Sequence, residues 1–382
     1  MADTDISQLC FWLSLVILIY TFAGFPLLMV LLGRFFPRPV TCVVSNPSPS
    51  VCVVIVAFNE ESRILSRLEN IVAATYSSDK IDVLLVSDGS TDRTVEYAKK
   101  MAHPRVKIID LATRRGKAAC LNTGVAESIA EIILFADARQ RFEPDTIEKL
   151  VAIFSDPRVG AASGQLSIEP ATSGVGSGVD AYWRLEKTLR HAESLLDSAI
   201  GCTGAIYAIR RNLYTSIPED TILDDVVIPM QIAVQGHRVL FVPEAVAYDP
   251  QSLEPELELV RKRRTLAGNF QVLARYPAWL LPWRNRLWWQ LLSHKYLRLL
   301  APLLLLATFL SNISLLNQSL YRWAFLGQCG FYLLACVGFL GSSLRQPVFS
   351  IPAGFVFLNL MTVSGCWHYI KGVHRHGWEV AK

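Results

Sequence analysis

"VCVVIVAFNEES", Val51 to Ser62, is a run of eight apolar residues that breaks into a polar turn carrying two acids. A run this short, apolar at every position, reads as a strand buried on both faces. "IDVLLVS" (81–87), "RVKII" (105–109) and "EIILFA" (131–136) repeat the pattern. Helical patterns follow, for example Thr91 to Met101 and Pro144 to Phe154. This alternation predicts an α/β domain with an open, mostly parallel, Rossmann-like sheet. In such sheets ligands bind beyond the C-terminal ends of the strands. Three acids stand at those ends: Glu60 in "FNEES", Asp88 in "DGSTDRT" and Asp137 in "DARQ". No GxGxxG follows the first strand and no GxxxxGK[ST] occurs, so dinucleotide dehydrogenases and P-loop enzymes lose their main support. An activated-nucleotide site made of carboxylates and a metal remains.

The whole chain is too apolar for an ordinary soluble protein: 52% of its 382 residues are hydrophobic and 18% charged. A soluble domain joined to membrane segments fits both values. The net charge of +4 is modest, and no basic stripe with interleaved aromatics suggests nucleic acid. The 8 cysteines are scattered, with no CxxC pair, which argues against zinc or a disulfide framework. His368, His374 and His376, beside Lys371 and Arg375, read as a solvated juxtamembrane tail in preference to a metal site.

A membrane-spanning helix needs about 20 apolar residues. Leu9 to Leu32 supplies them without a charge, and Gly24 with Pro26 should kink it or thin its packing surface. With acids before it and no small-residue cleavage site after it, this segment reads as a retained anchor. Three more spans are expected, roughly Leu299–Leu316, Trp323–Leu344 and Val348–Ile370; Pro352 and Gly354 leave the last open to a re-entrant path. Arg34 and Arg38 after the first span, and Arg284, Arg286, Lys295 and Arg298 before the second, place the central domain in the cytoplasm. Residues 276–298 mix four tryptophans with leucines and basic residues, as an amphipathic helix at the interface would. The expected division is an anchor over 1–39, the α/β domain over 40–275, the interface helix over 276–298, and membrane helices with a short tail over 299–382.

"VIVAFNEE", "LLVSDGSTDRT", "RRGKAACLN" and "FADARQRFEPD", in this order, resemble glycosyltransferase family 2, which has the GT-A fold. The likeness covers about Val51 to Gln271, and the membrane framing is similar to bacterial polysaccharide synthases of that family. The resemblance implies that Phe58, Asn59 and Glu60 line a nucleoside pocket, usually for a UDP-sugar, and that Asp88 accepts a hydrogen bond from the base. Lys117 would sit near the base or diphosphate. It places the general base at Asp225, paired with Asp224 in "TILDDVVIPM", to take the proton of an acceptor hydroxyl as it attacks the anomeric carbon with inversion. The plain alternative is that both acids cap a helix. Gly204 in "GCTGAIYAIRR" matches an acceptor-side segment where small residues let a sugar approach.

Two departures qualify the resemblance. Processive synthases carry Gln-x-x-Arg-Trp on a helix at the membrane face; here Arg264 fills the arginine place, but Arg261 and Thr265 replace the glutamine and tryptophan. Long-chain processivity is therefore not implied: a non-processive transferase acting on a lipid-linked or membrane-bound acceptor, or on a growing glycan, becomes a comparable reading, with a short-chain processive synthase as its close variant. In Asp-x-Asp, Asp137 keeps the first place and Arg139 takes the second. Asp137 would then hold a divalent cation (Mg or Mn) with the substrate's diphosphate, or Arg139 would supply the positive charge itself, or Arg139 would turn away to Glu143. A non-catalytic nucleotide-sugar sensor or partner subunit is the reading from another class.

Overall fold

The structure is a computed structural model that describes residues 2–40, 48–168, 177–249, 255–340 and 346–372. His374 and His376 lie outside them.

Eight strands form one sheet in the order β3-β2-β1-β4-β7-β6-β8-β5. The four expected strands are β1 (Val51–Ala57), β2 (Ile81–Ser87), β3 (Val106–Asp110) and β4 (Ile132–Asp137), all mutually parallel. Beyond β4 the sheet turns mixed: β5 (Arg141–Phe142), β6 (Val159–Ile168), β7 (Ile206–Arg210) and β8 (Arg238–Asp249), with β7 antiparallel to both β4 and β6. Every residue of β1 is buried. Val54 and Val56 face one apolar core while Val53 and Ile55 face another, so helices cover both sides. Each such valine or isoleucine contributes about 1.5–3 kcal/mol by leaving water.

Pairing of Ala57 with Ser87 and of Val56 with Asp137 brings the ends of β1, β2 and β4 level, so the three turns share one edge. The turn after β2 depends on Gly89, whose φ is +66° and whose added Cβ would lie 2.8 Å from the Arg114 nitrogen. Gly89→Ala is therefore expected to destabilise the domain by about 1–3 kcal/mol, read as a lowered Tm in detergent.

Four helices are long and apolar enough to cross a membrane: Asp5–Phe35, Trp288–Ser314, Ser319–Leu340 and Pro347–Ile370. The first contains a π segment, Tyr20–Gly24, just before Pro26. Proline lacks the N–H that would continue the regular ladder, and a wider turn absorbs the mismatch. Pro352 does not interrupt the last helix, which is continuous from Pro347 to Ile370 and packs along the helix Pro255–Arg275.

Residues 276–298 differ from expectation. They do not form one amphipathic helix: a 3₁₀ turn at Pro277–Leu280 gives way to turns, then to Trp288–Gln290 and a π segment, Leu291–Tyr296, that runs into the second span. Pro277 and Pro282 deny the backbone donors a long helix needs. Trp279 is buried against Tyr276, with ring centroids 4.2 Å apart, while Trp283 stays exposed.

Candidate active site

The turn after β1 is built to stay put. Asn59 adopts a φ of 55° and accepts the Thr91 N–H at 2.9 Å, tying β1's turn to β2's. The Arg114 guanidinium lies 4.0 Å over the Phe58 ring. Glu60 is buried; its N–H donates to Thr94 Oγ1 at 2.7 Å and its carboxylate pairs with Arg63 at 3.1 Å. Burial raises the Glu60 carboxyl above its ordinary range, with Arg63 opposing.

Asp88 is fully buried and accepts the backbone N–H of Arg115 at 2.6 Å and of Gly116 at 3.0 Å. That clamp fixes the start of the helix Lys117–Glu127. Lys117 then extends to Asp137, 3.1 Å away, and to Asp224, 3.4 Å away. Burial alone would lower the Lys117 ammonium, but Asp137, Asp224 and Asp225 hold it above the ordinary lysine value. Arg67, itself buried, donates to the Asp137 carbonyl at 3.1 Å and steadies the end of β4.

Asp224 and Asp225 open the helix Asp224–Val234, as the sequence suggested, but neither caps it: the N-cap residue is Leu223, with no side-chain cap bond. Asp224 is buried and accepts the Tyr207 hydroxyl at 3.0 Å. Burial pushes the Asp225 carboxyl up to about 6, helped by Asp224, while Lys117, Lys295 and Arg190 pull it back. The Cys202 N–H donates to the Asp225 carbonyl at 2.7 Å, holding the glycine-containing segment against the acid. A Cβ on Gly204 would stand 3.0 Å from Asp225 Oδ2, so any larger residue there would crowd the carboxylate. Asp225 also lines a cavity of about 70 Å³ together with Arg190, Thr265, Asn269 and Lys295.

Lys117, Asp137, Asp224, Asp225 and Gly204 are thus gathered into one site. Phe58, Asn59, Glu60 and Asp88 surround the neighbouring turns. Arg264 sits on the helix Pro255–Arg275, and it is the adjacent Thr265 that faces the cavity. Arg139 neither stands free nor reaches Glu143: it pairs with Asp249, which also accepts Gln140 Nε2 at 3.2 Å. The antiparallel register of Arg141 with Tyr248 brings Asp249 across, while Glu143 accepts the Tyr248 hydroxyl at 2.6 Å. Among the described residues no cluster of three His, Cys, Asp or Glu side chains is placed to hold a metal ion.

Sequence reasoning missed the network behind Asp225. His294, on the second π segment, faces Glu193 at 2.8 Å through Nδ1 and Glu186 at 3.0 Å through Nε2. Glu186 also pairs with Arg190 at 3.2 Å and with Arg298 at 3.1 Å. The spacing of Glu186, Arg190 and Glu193 on one helical face was a readable signal; the partner on a helix some hundred residues later was not. Lys295 and Arg298, read above as topology signals, prove to line the cavity and to pair with Glu186 respectively.

Residues 52–217 match the profile described as "Glycosyl transferase family 2". Among curated proteins, the chain is 25% identical over 234 residues to a poly-beta-1,6-N-acetyl-D-glucosamine synthase of Staphylococcus aureus (strain COL), covering 59% of this chain and 56% of that protein. It is 27% identical over 226 residues to an N-acetylglucosaminyltransferase of Rhizobium leguminosarum bv. viciae, covering 55% and 53%. The chain thus spans about half the length of the curated relatives it matches. Among solved structures, a mannosyltransferase from Pyrobaculum calidifontis, in complex with GDP-Man and Mn2+, superposes with a TM-score of 0.73 over 94% of this chain and 99% of that one, at 23% identity. That likeness establishes the GT-A fold. Residues 52–217 of this chain thus match the glycosyl transferase family 2 model, on a GT-A fold set among four helices long and apolar enough to cross a membrane.

Proposed function

We propose that this protein is an inverting glycosyltransferase that moves a sugar from a nucleotide-sugar, a UDP-sugar, to a membrane-associated acceptor in surface polysaccharide synthesis. The observation that carries the reading is Asp225: a carboxylate with a raised pKa, pressed against Gly204, open to a cavity and one residue from the Lys117–Asp137–Asp224 cluster. The acceptor hydroxyl loses its proton to Asp225 as its oxygen attacks the anomeric carbon. The bond from that carbon to the diphosphate breaks on the opposite face. Lys117 supplies positive charge near the departing diphosphate. Phe58, Asn59, Glu60 and Asp88 shape the nucleoside side, and Arg264 serves the membrane face.

The donor set suits a hard divalent cation held by Asp137: Mg²⁺ takes one or two carboxylates and completes its shell with phosphate oxygens and water. When bound, such an ion would neutralise charge on the diphosphate. Arg139, neutralised by Asp249, is poorly placed to substitute for it. Arg34 and Arg38 after the first helix orient the domain toward the cytoplasm of the inner membrane. Thr265 at the expected tryptophan place favours single or short additions over long polymers. The names of the curated relatives make an N-acetylhexosamine donor the first to try.

Release of UDP from a panel of UDP-sugars by the detergent-purified chain, with membrane lipid extract as acceptor, tests this reading. Turnover is expected with added Mg²⁺ or Mn²⁺ and its loss in EDTA; turnover undiminished by EDTA would remove the cation from Asp137. The same assay gives the pH dependence. Since the base acts only when deprotonated, kcat/KM is expected to fall about tenfold per unit below a pH of about 6 and to level off above it. A flat profile through that range would exclude Asp225 as the titrating base.

A further inference from the structure

Two π segments meet inside the molecule. The Tyr20 hydroxyl, in the first membrane helix, shares a hydrogen bond of 2.8 Å with Ser293 Oγ and accepts the Trp289 indole N–H at 2.8 Å. Ser293 belongs to the π segment Leu291–Tyr296, which leads into the second span. The helix Ser177–Leu196 grips that segment from another side. His294 is buried, with Nδ1 2.8 Å from Glu193 and Nε2 3.0 Å from Glu186, and both acids are buried too. A π turn holds more residues than an α turn, so consecutive side chains fan out less. His294 and its neighbour Lys295 thus both line the cavity that Asp225 opens into.

Asp225 is held in a balance of charges. Burial and Asp224, on the same helix, oppose its ionisation. Three cations from three elements favour it: Lys117 at the start of its helix, Lys295 on the π segment and Arg190 on the helix Ser177–Leu196. Tyr207 and Cys202 also act on the acid, and burial keeps both of them neutral. Lys117 is shared with Asp137 and Asp224, and Arg190 is fixed by Glu186 at 3.2 Å and by Thr203 at 3.3 Å. Lys295 lies in the fields of Glu186 and Asp225, with Arg190 and Arg298 opposing. Against the pull of burial, His294, Arg190 and Arg298 hold the Glu186 carboxyl well below the usual carboxylate range, so it stays ionised at every working pH. Of the two acids that face Lys295, Asp225 is the one whose charge can change.

We propose that Lys295, a residue of the second membrane helix, is a positioning residue for the base: it faces Asp225 across the cavity and favours the carboxylate, and His294, gripped by two glutamates, holds it there. This rests on the glycosyltransferase reading, in which Asp225 is the base, and adds to it a group that the catalytic domain borrows from the membrane segment. The bracing of Ser293 by Tyr20 makes the first membrane helix part of the same support.

The test is the pH profile of kcat/KM for the full chain in detergent, with wild type, Lys295→Gln, Lys295→Arg and His294→Gln. Removing the positive charge favours protonated Asp225, so the acid limb of Lys295→Gln is expected to move up by about one unit, the scale on which a nearby opposite charge acts. Lys295→Arg keeps the charge and should leave the limb near its wild-type place. His294→Gln should move it upward as well, and in the double variant with Lys295→Gln the two shifts should not add, because one acts through the other. A loss equal at every pH with the limb unmoved overturns the proposal, and shifts that add overturn the part given to His294. Thermal unfolding of the same proteins needs no turnover. Lys295 attracts Asp225 only when that acid is ionised, so the Tm lost in Lys295→Gln should be larger at about pH 7.5 than at about pH 5, on either side of the Asp225 value of about 6. In an Asp225→Asn background that difference should vanish. An equal loss at both pH values with Asp225 present overturns the proposal, whereas a wild-type profile without an acid limb counts against the parent reading.

Discussion

Asp225→Asn is expected to lower sugar transfer about 10²–10⁴-fold, the share commonly supplied by a general base, while nucleotide affinity stays within a fewfold of wild type. The exchange keeps the side chain's shape beside Gly204 and removes its ability to accept a proton. It also removes one of two adjacent buried negative charges, so the variant should melt no lower than wild type. This sign separates the catalytic reading from the structural one. A helix-dipole role for Asp225 predicts a small stability loss and near-normal turnover. A kcat within threefold of wild type would transfer the base to another residue, with Asp224 next to be tested.

Lys117→Met should have the second largest effect. Lys117 is the cation between Asp137 and Asp224, and Asp224 is almost wholly buried. Removing one partner of such a pair leaves the other charged without compensation, at a cost of about 3–5 kcal/mol. The expected result is a lower Tm and UDP-sugar affinity reduced at least tenfold. Adding Asp224→Asn to Lys117→Met should restore part of the stability, because the stranded charge is gone, yet leave donor affinity low. Recovery of both together would mean that Lys117 serves only the fold.

Much of this arrangement was legible in the chain itself, for identifiable reasons. β1 and β2 are nearly continuous apolar runs, so their burial on both faces and their parallel pairing followed from composition. The turns after β1, β2 and β4 had to share an edge once the strands were parallel, which gathers Glu60, Asp88 and Asp137 there. Asp224 and Asp225 were found at a helix start. The pairing of Arg139 with Asp249 was invisible, because it depends on β8 crossing 110 residues later to pair with β5. Residues 276–298 misled for a different reason. Their amphipathic composition was real, but prolines set the backbone path, and basic residues that looked like interface anchors were recruited by Glu186 and the cavity.

The anomeric configuration of the product tests the central claim most directly. With an α-linked UDP-sugar as donor, NMR of the lipid-extracted product should show a β linkage, the outcome of a single displacement assisted by Asp225. A product that retains the α configuration would contradict the account, since one back-side attack on the donor cannot yield it.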